Sequence, residues 1–107
     1  MTAPIYILAR FTVHDRAPYD KYDEAFFDVF DKFDGKLLSA DEEPVPLSGE
    51  WKHTRSVLME FPSQEAMMAW ATSPEYLAIA KYREDGSTGE AIMVKGFEGD
   101  LPGKAKS

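Results

Sequence analysis

Glu60-Phe61-Pro62-Ser63, then Trp70, then Ser73-Pro74-Glu75-Tyr76, is the stretch whose reading decides the fold. Pro62 ends a strand, because proline cannot donate to a β-ladder. Ser63 is a good N-cap, and Glu65 sits in the first helical turn, where the helix dipole favours an anion. Ala66, Met67 and Trp70 mark the buried side of a short helix. Ser73-Pro74-Glu75 then restarts it, with Ser73 as N-cap and Pro74 at the first helical position. Tyr76, Ile79 and Ala80 carry the apolar side on to about Arg83.

Upstream, Thr54 to Phe61 reads as a strand with Val57, Met59 and Phe61 on one face and Ser56, Leu58 and Glu60 on the other. Ile5 to Val13 alternates in the same way, with Ile5, Ile7, Ala9, Phe11 and Val13 against Tyr6, Leu8, Arg10 and Thr12. Asp15 caps a helix running to about Asp34, whose stripe is Tyr19, Tyr22, Phe26, Val29, Phe30 and Phe33. Asp20, Asp23, Glu24, Asp28 and Asp31 are placed mostly off the stripe, toward water. Gly35 reads as a left-handed residue closing that helix. Lys36 to Ala40 is a second strand and Asp41 to Trp51 a long loop. Asp85-Gly86-Ser87 is expected to turn the chain into a last strand, Ala91 to Phe97.

The order βαββαβ predicts an α+β fold, a ferredoxin-like sandwich with a four-stranded antiparallel sheet and two helices on one face. The opposite face carries Tyr6, Leu8, Leu58 and, on this reading, Met93, which is too apolar to stay solvated. A second copy packing there by two-fold symmetry gives a homodimer, a dimeric α/β barrel. The 107 residues make one domain over 1–97 and a polar tail over 98–107. A net charge of −7 argues against nucleic acid, whose phosphates need a basic face. The absence of cysteine excludes disulfides and thiolate chemistry. No apolar run reaches the ~20 residues that span a bilayer, and the start lacks a signal-peptide pattern. The expected location is cytoplasmic, with no membrane partner.

The residues also match a known pattern. Tyr6, Asp15, Tyr19, Tyr22 and Gly35 carry its first half. Leu47-Ser48-Gly49-Glu50-Trp51, Arg55, Glu60-Phe61-Pro62-Ser63, Ala66, Trp70, Ser73-Pro74-Glu75-Tyr76, Arg83 and Gly96 carry the rest. In these positions the chain resembles the DUF1330 family of small bacterial proteins, within the dimeric α/β-barrel superfamily, over roughly residues 4 to 97. The resemblance implies the fold and the dimer and carries over no catalytic assignment. Two segments depart from the pattern: the acidic, proline-rich Asp41-Glu42-Glu43-Pro44-Val45-Pro46, and Glu84-Asp85-Gly86, which interrupts the end of the second helix.

Arg10 and Glu60 are the sharpest candidates for chemistry. Both lie on the strand side away from the helices, on neighbouring antiparallel strands, and are expected to approach. As a site, Glu60 is a general base with Arg10 holding an anion; as structure, they are an ion pair inside the barrel. His53 is a candidate acid–base or, as the plainer reading, a solvent-exposed polar residue at a strand entrance. Arg55 is a bidentate grip for a carboxylate or, being on the helix side, a salt bridge. Trp51 lines a mouth or packs across the dimer. His14 and His53 are far apart in sequence and no metal site is expected. No dinucleotide fingerprint or phosphate loop appears, and no cofactor is expected. Two functions remain: a dimer that binds a small organic molecule without catalysis, or a cofactor-independent enzyme acting on a small organic acid or aromatic. The superfamily implies monooxygenase-, isomerase- or decarboxylase-like chemistry for the latter.

Overall fold

A computed structural model of the chain describes residues 4–97. The tail read over residues 98–107 lies outside the described residues. The elements follow in the order β1 (Ile5–Val13), α1 (Arg16–Phe30), β2 (Lys36–Asp41), β3 (Arg55–Phe61), α2 (Gln64–Ala71), α3 (Pro74–Gly86) and β4 (Ser87–Lys95). The four strands form one antiparallel sheet in the order β2-β3-β1-β4. This is the ferredoxin-like arrangement, with the helical layer split into three helices rather than two. No helix among the described residues is long and apolar enough to cross a membrane.

The break between α2 and α3 follows from the side chains of the deciding stretch. Ser63 Oγ accepts from the Ala66 N–H at 3.1 Å and opens α2. The Ser73 hydroxyl donates to the Trp70 carbonyl at 2.8 Å and accepts from the Tyr76 N–H at 3.1 Å. One hydroxyl thus closes α2 and opens α3, satisfying groups that both helix ends leave without partners. Pro74, with no N–H to offer, sits at the first turn of α3.

The core lies between the helices and one sheet face. Ile7 of β1 and Met59 and Phe61 of β3 cluster with Tyr19, Tyr22, Phe26, Val29 and Phe30 of α1, and Ile5, Ala9 and Phe11 of β1 are buried as well. Trp70 binds this layer together, with its ring centroid 5.5 Å from Phe61, 5.5 Å from Phe30 and 4.3 Å from Tyr76.

Several expectations are corrected. The helix expected to reach Asp34 ends at Phe30, and Lys32 and Phe33 form tighter bonds to carbonyls three residues back. Gly35 is not left-handed; among the described residues the glycine with positive φ is Gly49. Gly35 is needed for space: a Cβ there would stand 2.6 Å from the Phe30 ring and 2.6 Å from the Phe61 ring. Gly35→Ala is therefore expected to cost about 1–3 kcal/mol, as overpacking does, read as a lower urea midpoint at unchanged slope.

The segment Glu84-Asp85-Gly86 does not interrupt α3, which runs through it. The Gly86 carbonyl accepts from the His14 and Asp15 N–H groups, so this helix end is tied to the β1–α1 junction. The last strand begins at Ser87, not Ala91, because Ser87 already pairs with Val13. The ladder corrects the face of Met93 as well. Met93 stands opposite Ile7, and directly opposed residues share a face, so Met93 is on the helix side. Ile92, opposite Leu8, and Val94, opposite Tyr6, take its place on the open face.

Candidate functional site

A cavity of about 380 Å³ lies between the sheet and α1, in the range of small-ligand sites. Its origin is a mismatch of side-chain size. Tyr19, Tyr22 and Phe26 of α1 keep the helix a ring's breadth from the sheet. The facing sheet positions include the small Ala9, Val57 and Ala91. The lining is mostly apolar, and its polar groups are few: Asp23, Arg55, Arg83 and the tyrosine hydroxyls.

Arg55 anchors the polar end. Its position at the start of β3, in phase with Val57 and Met59, turns it to the helix side as the alternation requires. Its side chain is 13% exposed. Nη1 donates to Asp23 Oδ2 at 3.3 Å and stands 3.4 Å from Glu42 Oε2, and the guanidinium lies 5.2 Å from the Tyr19 ring centroid. Glu42 is also held by Arg16. With Asp20, 2.8 Å from Arg16 Nη2, the groups Arg16, Arg55, Asp23 and Glu42 form one network with one net negative formal charge. Arg55 Nε–H is buried and has no acceptor among the described residues, an arrangement that costs free energy unless something else accepts.

The network separates the two carboxyls. Burial raises the Asp23 carboxyl above its ordinary value, with Arg55 pulling the other way. The hydrogen bond from Arg16 lowers that of Glu42. Farther along the same wall, Tyr22 and Tyr76 share a hydrogen bond of 2.9 Å between their hydroxyls. Burial pushes the Tyr19 phenol up to about 12 and Tyr22 well above its usual value, so both stay neutral donors.

The remaining candidates do not meet here. Arg10 and Glu60 are not brought together: Arg10 stands opposite Ser56, whereas Glu60 stands opposite Tyr6, four residues along the ladder. The expectation rested on strand adjacency and lacked the register. Arg10 Nε instead pairs with Glu90 Oε2 at 2.6 Å, directly across on β4. That bond lowers the Glu90 carboxyl. Glu60 makes no ion pair among the described residues. His53 Nδ1 lies 3.3 Å from the Thr12 hydroxyl, and its ring stands edge-on to Trp51 at 5.5 Å. Trp51, Arg10 and Glu90 border a second concavity of about 510 Å³ on the open face, with Leu8, Leu58 and Ile92. Its lining comes from the sheet and the loop before β3, with no helix residue. The inner cavity, walled by sheet and helices, is the stronger site.

Asp23, Glu42, Tyr22, Tyr76 and Arg83 are not among the candidate site residues read from sequence. Asp23 had a readable signal. It falls four residues after Tyr19 and three before Phe26, which puts it on the buried stripe rather than toward water. Glu42 had none, because a loop's return to a strand entrance leaves no periodicity.

Solved structures with this fold include a protein of unknown function, RPA0582, from Rhodopseudomonas palustris. It is 18% identical over 92% of this chain and 86% of its own, with a TM-score of 0.75. SnoaB, a cofactor-independent oxygenase from Streptomyces nogalater, is 20% identical over 91% of this chain and 96% of its own, with a TM-score of 0.57. A dimeric ferredoxin-like protein of unknown function from Thermobifida fusca is 13% identical over 89% and 92%, with a TM-score of 0.60. At such identities the likeness is one of fold. Comparison with curated proteins finds no match. A family model matches residues 4–97, the whole of the described chain, and by that match the protein belongs to the DUF1330 family, a domain of unknown function.

Proposed function

We propose that this protein binds a small, uncharged aromatic molecule in the cavity between sheet and helices, acting in the cytoplasm as a homodimer. The observation that carries the reading is a mostly apolar cavity large enough for a ligand, with the Arg55–Asp23 ion pair on its wall. An apolar wall with one or two fixed polar groups is the usual make-up of a small-molecule site. The charge balance favours a neutral ligand: Arg55 already faces two carboxylates, so an added anion would meet no net positive charge. Of the two ligand types read from sequence, organic acid and aromatic, the aromatic fits.

Trp70 borders the cavity and reports on it. In a Trp51→Phe background, 2-tetralone, a bicyclic aromatic ketone, is expected to quench the remaining tryptophan fluorescence saturably. Ala9→Leu extends a side chain from the sheet into the cavity and is expected to weaken that binding at least tenfold. Equal binding by Ala9→Leu and its parent would contradict the assignment.

The homodimer reading rests on the open face, where Leu8 and Ile92 are exposed beside Leu58. A fold neighbour described as dimeric supports it. Sedimentation at micromolar concentration is expected to give a dimer, and Ile92→Glu a monomer. A monomeric wild type would sink it.

A further inference from the structure

We infer that Asp23 and Arg55 form a proton-transfer pair, and that the cavity takes aromatic ketones with an acidic C–H next to the carbonyl and catalyses their enolisation. The inference rests on the binding reading above and gives that site a substrate class and a reaction.

The geometry supplies the two roles such a step needs. Asp23 borders the cavity, and its carboxylate's hydrogen bond runs from Oδ2 to Arg55 Nη1 at 3.3 Å. Oδ1 is left without a hydrogen bond among the described residues. Arg55 lines the same cavity and sets its guanidinium charge beside Asp23. One side of the pair can therefore receive a proton while the other receives a negative oxygen. Both groups belong to the rigid part of the molecule, on α1 and at the first residue of β3. Burial makes the Asp23 carboxylate a stronger base than an exposed aspartate, in line with this role.

The balance closes without a co-reactant. The ketone C–H bond breaks and its proton passes to Asp23 Oδ1. The electron pair forms the carbon–carbon double bond of the enolate and moves negative charge to the former carbonyl oxygen, stabilised by the Arg55 guanidinium on the cavity wall. Asp23 becomes neutral as the ligand becomes an anion, so the charge of the site stays constant and Arg55 keeps two anionic neighbours throughout, Glu42 and then either Asp23 or the enolate. This is stabilisation aimed at charge that develops during the reaction. Return of the proton from the carboxyl to carbon restores the ketone. The tyrosines add a third element: the Tyr22–Tyr76 bond uses one of two hydroxyl hydrogens, so the other is available to a second oxygen on the ligand.

Exchange into solvent deuterium tests the step. 2-Tetralone in deuterium oxide, followed by proton NMR, loses its C1 benzylic signal as enolisation proceeds. The wild-type protein is expected to speed this loss over buffer. Asp23→Asn is expected to cut the speed-up at least tenfold with melting temperature and 2-tetralone binding retained, and Asp23→Glu to keep measurable exchange. Arg55→Lys is expected to slow exchange while leaving the base in place. Bound 2-tetralone with no accelerated exchange, or Asp23→Asn as fast as wild type, would overturn the proton-transfer pair and leave the binding reading intact. Absence of 2-tetralone binding by fluorescence overturns the binding reading and this one with it.

Discussion

Phe61→Ala is expected to remove about 3–5 kcal/mol of stability, the largest loss from any single truncation proposed for this chain. Phe61 is 0% exposed. Its ring sits between Phe30, 5.8 Å away and edge-on, and Trp70, 5.5 Å away. The glycine at position 35 shapes the remaining side. None of these neighbours can move into the space, because each is itself locked by other rings, so the cavity stays open rather than collapsing. Domains of this size hold about 5–15 kcal/mol in total, and each kcal/mol is worth roughly 4–8 °C of melting temperature. A urea titration should show the midpoint falling at unchanged slope. Phe61→Leu should recover most of the loss. A loss under about 1.5 kcal/mol would mean that this ring cluster is not the centre of the core.

The same residue shows why the fold was legible. Phe61 is the last apolar position of an alternating strand, Pro62 stops that strand, and Ser63 and Ser73 each open a helix through one hydroxyl. These are local rules, and tertiary packing agrees with them. What failed was register. Strand adjacency put Arg10 beside Glu60, but only the ladder shows Arg10 opposite Ser56 and Glu90. A single strand's sequence says which residues share a face and not which residue stands across from them. The misplaced start of β4 had a related cause: Ser87 and Gly89, on either side of Thr88, have little strand propensity of their own, and the segment is strand because β1 is long enough to pair with it.

The cavity was legible in part. Arg55 was placed on the correct side of the sheet by counting from Val57. Asp23 was assigned to water because its neighbours Asp20, Glu24 and Asp28 are acidic and exposed. Spacing, not residue type, separates it from them. The empty volume itself left no trace in sequence. It comes from which rings of α1 face which alanines of the sheet, and that depends on helix placement.

Arg55→Met tests the polar end of this cavity with a sign as well as a size. The thioether keeps much of the side chain's length and removes the charge. Two half-exposed carboxylates, Asp23 and Glu42, then lose their shared cation, and Tyr19 loses the guanidinium over its ring. Breaking a fully buried pair costs about 3–5 kcal/mol, and the partial exposure of both acids reduces this to about 2 kcal/mol near neutral pH. The pH dependence follows from the two carboxyls. Asp23 is raised in the folded protein, chiefly by burial, so its ionisation already works against folding as pH rises through its folded value. Without Arg55 it rises further, and the penalty above that pH grows. Glu42 is lowered, so its contribution is present above its unfolded value and is lost as pH falls through the folded one. Both changes act in one direction on the difference between the proteins. The gap between wild type and Arg55→Met should be full above the raised Asp23 value and should shrink as pH falls and both acids protonate. Urea midpoints at pH 7.5 and at pH 3.5 check this, provided both proteins remain folded. A gap that is equal at the two pH values would mean that Arg55 contributes by packing alone, and that its charge is not what holds Asp23 ionised at the cavity wall.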